Sequence, residues 1–280
     1  MKVRLGCFGN LDDFDAIEAA GYDCAELDLQ EIMTLDDDRY RKLKKRIRES
    51  AVKCEVYNTM IPLRSSIISP DFDEKYWVEF SKKAAQRAAE LGARYYVFGN
   101  GFARRIPEEG DVAGGRAKVL GFLDALCDIT REYGITILIE PLSRFYSNFI
   151  LSLREAVGVI REMNRTNLMT MVDLRHMVAT GEPFDEIVRY RDYILHVHID
   201  NPLPPERYFP KLGDGYDYRP FMDTLKKINY EGIISVEARY YMSGEARKDF
   251  PVEAARAIGF FKSFDIELGF ADPLTLTLEK

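Results

Sequence analysis

EYGITILIE, residues 132–140, sets the reading of the whole chain. A helical pattern runs into Gly134, a residue that enters the left-handed conformation at a helix end without steric cost. A β-rich run, Ile135 to Ile139, follows at once and closes on an acid, Glu140. The same order of helix, stop and strand recurs in AAGYD (19–23), ELGARYYV (90–97) and NYEGIISV (229–236). Apolar runs begin near Val3, Asp23, Cys54, Arg94, Ile135, Leu168, Ile194 and Ile233, at intervals that suit a strand, a turn and a helix. Helical periodicity between them is clearest in 75–92, 115–134 and 152–164. Eight such units predict an α/β chain folded as a single (β/α)8 barrel over 1–272, with 273–280 as a C-terminal tail. An open doubly wound sheet would carry a glycine-rich phosphate turn after its first strand. Here GCFGNLDDFD (6–15) lacks the GxGxxG spacing and puts acids where a pyrophosphate would sit.

The composition narrows the class. Of 280 residues 46% are hydrophobic, enough for a large core, and 39 basic against 46 acidic side chains leave a formal charge of −7. That balance points away from nucleic acid, whose phosphates attract basic surfaces. There is no apolar run long enough to span a membrane, and MKVRLGCFGN is too soon interrupted by LDDFD to act as a signal peptide, so a soluble, cytoplasmic protein is expected. Cys7, Cys24, Cys54 and Cys127 form no CxxC pair and read as reduced, structural thiols.

In a barrel, function gathers where the carboxyl ends of the strands converge. The three histidines, His176, His196 and His198, all lie within 23 residues. In LHVHID (195–200) strand alternation puts His196 and His198 on one face and Leu195, Val197 and Ile199 on the other. With the apolar set packed against helices, both histidines face the interior and His198 stands nearer the mouth. His198 is then a metal ligand and His196 an interior polar group, although the reverse order satisfies the same parity. Likewise Thr136, Leu138 and Glu140 share a face, as do Met169, Met171 and Asp173, and Ile233, Ser235 and Glu237. Each of these strands ends in an inward acid. A buried carboxylate is costly unless paired or bound to a cation, so Glu140, Asp173, His198 and Glu237 predict one divalent ion at their focus. Mixed carboxylate and imidazole donors suit Mn2+ foremost, with Co2+, Mg2+ or Zn2+ as alternatives. Plainer readings exist for each acid: Asp173 could cap the following helix, Glu140 pair with Arg144, and Glu237 with Arg239.

At this point the chain resembles the xylose-isomerase-like TIM-barrel superfamily of sugar isomerases and epimerases, most nearly its D-tagatose and D-psicose 3-epimerases. The carriers are EPLSRFYSNFILSLREA (140–156), MVDLRHM (171–177), HVHID (196–200) and GDGYDYRPFMDTLKKINYEGIISVE (213–237). By this resemblance Glu140, Asp173, His198 and Glu237 match the family's metal ligands, His176 its substrate-oxygen-binding histidine, and Arg144 a supporting arginine. Two positions depart. Tyr146 stands where the epimerases carry an acid, and Pro204 where they carry an arginine, for which Arg207 is the nearest substitute.

The expected reaction is epimerisation or isomerisation of a ketose, or ketose phosphate, by proton transfer through a metal-bound enediolate, with Glu140 and Glu237 as the acid/base pair. Hydroxypyruvate isomerases and inosose dehydratases have similar ligand sets and remain alternatives by resemblance, as does a non-catalytic sugar-binding barrel. An endonuclease IV type of nuclease needs more histidines than the chain has. From the early strands, Glu26 could hydrogen-bond sugar hydroxyls or sit in an interior salt bridge, and Phe8 and Asn58 could line the pocket. Arg207, Lys211 and Arg239 could gather round an anion or lie solvated. Leu274, Leu276 and Leu278 alternate in the tail, which either frays or forms an arm to a second subunit of a homo-oligomer.

Overall fold

The computed structural model describes residues 2–58, 61, 65–203, 206–239, 248–264 and 267–268; the tail 273–280 lies outside them. Eight parallel strands form the barrel wall: β1 (Lys2–Gly9), β2 (Cys24–Asp28), β3 (Lys53–Asn58), β4 (Tyr95–Phe98), β5 (Thr136–Ile139), β6 (Leu168–Asp173), β7 (Ile194–Ile199) and β8 (Ile233–Val236). Each pairs with the next, and β1 pairs with both β8 and β2, which closes the ring. All eight begin where the apolar runs place them. A two-residue strand, β9 (Glu267–Leu268), adds in parallel to the start of β1.

Helices cover the outside. The three with the clearest periodicity form at Glu74–Glu90, Val112–Arg131 and Leu153–Met163. Gly134 takes φ 69° before β5, as the sequence implies. Before β8 the left-handed residue is Asn229, at φ 50°, and not Gly232. Asparagine tolerates that region better than other side chains, so the glycine three residues later was not needed for the stop. Among the described residues no helix is long and apolar enough to cross a membrane.

The apolar core has two parts. The larger lies between strands and helices; the smaller fills the barrel interior with Cys24, Val56, Val97, Leu138, Met171 and Ile233. Leu195 packs against this interior set, which corrects its outward assignment. Thr170 pairs with Ile194 but Met171 with His196, so Leu195 is an extra residue on β7. Such a bulge breaks strict alternation. The four cysteines are buried as free thiols.

Leu138 is fully buried at the centre of the interior set. Leu138→Ala is expected to lower unfolding free energy by about 3 kcal/mol through lost burial and an unfilled cavity, read from urea denaturation.

Candidate metal centre and active site

Asp173 on β6 stands level with His198 on β7, and His198 level with Ser235 on β8, two residues before Glu237. Glu140 follows β5 directly. One donor atom from each of Glu140, Asp173, His198 and Glu237 lies within 4.8 Å of all the others, and all four residues are buried. His198 Nδ1 is 3.2 Å from Glu237 Oε2, 3.5 Å from Glu140 Oε1 and 3.9 Å from Asp173 Oδ2. Around one ion with ligand bonds of about 2.1 Å, opposite donors stand about 4.2 Å apart, so these separations are of the right size. Glu140 Oε1 and His198 Nδ1 make no hydrogen bond and are shielded from solvent. Two orphaned donors facing the same point fit a cation.

A layer of polar groups below holds these donors. His196 and His198 each direct Nε2 at Glu26, at 3.0 and 2.9 Å. A carboxylate can only accept, so both rings carry a proton on Nε2 there, and Nδ1 is the nitrogen that His198 turns to the cluster. Asn58 donates to the same Glu26 carboxylate. Glu26 is thus buried against two histidines and does not line the cavity, which corrects its assignment to sugar hydroxyls in favour of the interior salt bridge. His196 reaches Glu26 and not the four-donor cluster, so the order in which His198 is the outer group holds.

Asp173 does two jobs. Its Oδ1 accepts from His176 N at 3.0 Å and caps the helix Leu174–Thr180, while Oδ2 faces the cluster. Glu140 has room because residue 99 is glycine: a Cβ there would overlap Glu140 Oε2. Arg104, fully buried, donates to the carbonyls of Phe98 (3.0 Å), Glu140 and Ile150 (3.3 Å) and so ties the ends of β4 and β5 together. The sequence reading missed both. A glycine immediately after a strand was a usable signal for Gly99; nothing distinguished Arg104 from Arg105.

A cavity of about 590 Å³ opens above the cluster, with Glu140, Glu237, His176, Asn58 and Arg207 in its wall. His176 Nε2 is 3.8 Å from Glu140 Oε1 and 3.7 Å from Asp173 Oδ2, and its ring meets Tyr146 edge-on at 5.2 Å. Arg144 is exposed and outside this wall: the turn after β5 brings Phe145 and Tyr146 over the opening instead, so neither the supporting role nor a pair with Glu140 is realised. Phe8 is completely buried and reaches the cavity only through Arg239, whose guanidinium lies 4.3 Å above its ring. The suggested anion cradle is also absent among the described residues. Arg207 and Arg239 are both bound to Glu237, and Lys211 lines a different hollow beside Asp214.

The charges follow the packing. Burial pushes the Glu140 carboxyl up to about 7, with His198 opposing and Glu237 and Asp173 adding to the rise. Burial would raise Glu237 too, but Arg207, Arg239 and His198 outweigh it and hold that carboxyl well below its ordinary value. Burial draws His176 down to about 4, leaving a neutral ring. For His198 burial is overcome by Glu26 and Glu237, and its affinity for a proton is strongly raised. The second proton that this favours would sit on Nδ1, the position a bound metal ion would take from it.

A closed parallel barrel with a carboxylate and imidazole cluster at the carboxyl ends of its late strands defines the class. The Xylose isomerase-like TIM barrel family matches residues 14–264, and the chain belongs to it. A ketose 3-epimerase from Arthrobacter globiformis is 27% identical over 162 residues, 57% of this chain and 54% of that protein. A D-psicose 3-epimerase from Agrobacterium fabrum is 25% identical over 143 residues, 51% of this chain and 48% of its own. The chain thus spans about half the length of the curated relatives it matches. A D-psicose 3-epimerase structure with D-tagatose from Clostridium cellulolyticum H10 superposes with TM-score 0.76 at 17% identity, covering 94% of this chain and 100% of that one. A 3-keto-D-glucoside 4-epimerase from E. coli superposes at 0.74 with 21% identity, covering 92% and 99%. These likenesses show a common fold, and the relatives are the ketose epimerases that the sequence resembles.

Two substitutions test the supports. Glu26→Gln, which cannot accept from both histidines equally, is expected to weaken divalent-ion binding by about 10- to 100-fold in calorimetric titration. Gly99→Ala should displace the Glu140 carboxylate and lower ion affinity by a similar factor of about 10 or more, while the thermal midpoint of the metal-free protein moves by only a few degrees.

Proposed function

We propose that the chain is a divalent-metal-dependent isomerase that epimerises or isomerises a ketose by proton transfer between carbon and two carboxyl groups. The observation that carries this reading is the convergence of Glu140 and Glu237, from strands with two others between them in the ring, on one buried point at the floor of an open cavity. The naming of the relatives as ketose epimerases supports the substrate class.

Glu140, Asp173, His198 and Glu237 would hold the ion, Mn2+ by preference for this donor set, with Co2+, Mg2+ and Zn2+ as substitutes. A bound divalent cation supplies polarisation of the substrate carbonyl and charge to stabilise the adjacent enediolate. The remaining work belongs to side chains. One of Glu140 and Glu237 takes the proton from the carbon beside the carbonyl, and the electron pair of that C–H bond passes into the enediolate. The other gives a proton to the opposite face of the same carbon, and the carbonyl re-forms with inverted configuration. No net oxidation occurs. Neutral His176, whose Nε2 accepts from Arg207, stands in the cavity wall where its ring edge can contact the bound sugar, and Asn58 offers a further polar contact.

The test is turnover of a panel of ketoses in deuterium oxide with Mn2+, followed by NMR. Deuterium is expected at the inverted carbon, and an active wild-type enzyme that incorporates none overturns the proton-transfer mechanism. Glu140→Gln and Glu237→Gln are each expected to reduce kcat by at least about 10³-fold with the fold intact by circular dichroism.

A further inference from the structure

Arg207 is placed more elaborately than a sugar contact requires. Its guanidinium is buried, and Nη1 donates to Asp173 Oδ2 at 3.1 Å and to Glu237 Oε2. Those are the inward oxygens of two proposed ligands, the same atoms that face His198 Nδ1. Nη2 meets His176 Nε2 at 3.0 Å, and the guanidinium carbon lies 5.9 Å from the centre of the Tyr146 ring. The approach is braced from behind. Arg175, itself buried, donates to Asp200 Oδ2 at 2.7 Å, to Glu206 O at 3.0 Å and to Asn201 O, fixing both ends of the segment that precedes Arg207.

We propose that Arg207 is an internal counter-cation of the metal centre, which competes with the divalent ion for Asp173 and Glu237 and so sets the affinity of the site. The inference rests on the metal-centre reading above. Three carboxylates carry more negative charge than one divalent ion cancels, and the guanidinium makes up the difference. In the metal-free protein the guanidinium relieves repulsion between Asp173 and Glu237, at a distance where like charges in a partly shielded site oppose each other by a few kcal/mol. When an ion enters, the guanidinium yields the inward lone pairs of the Asp173 and Glu237 carboxylates, to which it had donated, and stands beside a second cation. Removing the arginine therefore acts with one sign through every route: the empty site is less stable, a competitor is gone, and a repulsion in the filled site disappears. Metal binding becomes tighter. A residue that only contacts sugar, or only props the loop, leaves ion affinity unchanged or weakens it.

The experiment compares wild type, Arg207→Gln and Arg207→Lys, each stripped with a chelator and titrated with Mn2+ in a calorimeter in the absence of sugar, with thermal melts before and after the ion. Arg207→Gln is expected to melt lower when stripped, to bind Mn2+ at least about 10-fold more tightly than wild type, and to gain more in melting temperature on adding it. Arg207→Lys, whose ammonium cannot bridge both oxygens, is expected to show a smaller gain in affinity, and it carries the test if the glutamine variant does not fold when stripped. Wild type that binds Mn2+ with variants that bind it equally or more weakly overturns the role of Arg207 and leaves the metal centre standing. Wild type that binds no Mn2+ removes the centre itself and this proposal with it.

Discussion

Carboxylates crowded into a place shielded from water repel one another and lose hydration together, and the mouth of this barrel is arranged round that cost. Glu140, Asp173 and Glu237 are each 4% exposed or less. Charges of one sign about 4 Å apart oppose each other by about 4 kcal/mol at an effective dielectric near 20. The chain answers from several sides: His198 from beside, Arg207 from the loop after β7, and Arg239 from the end of β8. Compensation is uneven, however. Glu237 receives two guanidinium groups and stays ionised, whereas Glu140 Oε1 receives no hydrogen bond and its carboxyl rises. The uncompensated side is the inner one, and the donors that lack partners face it.

That arrangement depends on a single extra residue. With Thr170 opposite Ile194, unbroken pairing of β6 and β7 would set Asp173 against Val197, turn both histidines outward and bring valine into the cluster. The bulge at Leu195 shifts the register by one, so Asp173 lies against His198. Because side chains alternate with period two, a slip of one residue exchanges every inside position for an outside one. The bulge also fills the space it creates, since Leu195 turns in to pack with the interior set beneath the histidines. Polar mouth and apolar plug are two results of one irregularity.

Much of this is legible in the sequence, and the reasons differ from part to part. Strands show because buried parallel strands are short apolar runs bounded by helix stops, and the four donors because alternation within a strand needs only local sequence. Glu140, Asp173, His198 and Glu237 could therefore be brought to one mouth from parity alone. What parity cannot show is a partner across the barrel. For Glu26 alternation leaves a sugar contact and an interior salt bridge equally open, and only the fold shows that its acceptors are met by His196 and His198, 170 and 172 residues away. Loops are harder still. Arg144 and Tyr146 are two residues apart, yet the turn that follows β5 exposes the first and lays the second across the cavity. The Leu195 bulge leaves no mark in composition, because leucine suits either face.

Glu26 gives the interior a second electrostatic storey, and its economy depends on saturation. A carboxylate in the middle of a barrel would be among the costliest groups to bury. Here two imidazole N–H groups and the Asn58 amide satisfy it, and His198 and His196 outweigh burial to keep it ionised. The charge so preserved is what fixes a proton on Nε2 of His198, the side away from the cluster, because a neutral Glu26 could as well donate as accept. The chain of contacts then runs without a break from the cavity wall at Asn58, through Glu26, to the donor atom of His198. Whatever occupies the cavity touches one end of that chain, and the four-donor cluster is the other. The strands that looked least informative, β2 and β3, thereby govern the basicity of the proposed ligand on β7, and the barrel must close for them to do so.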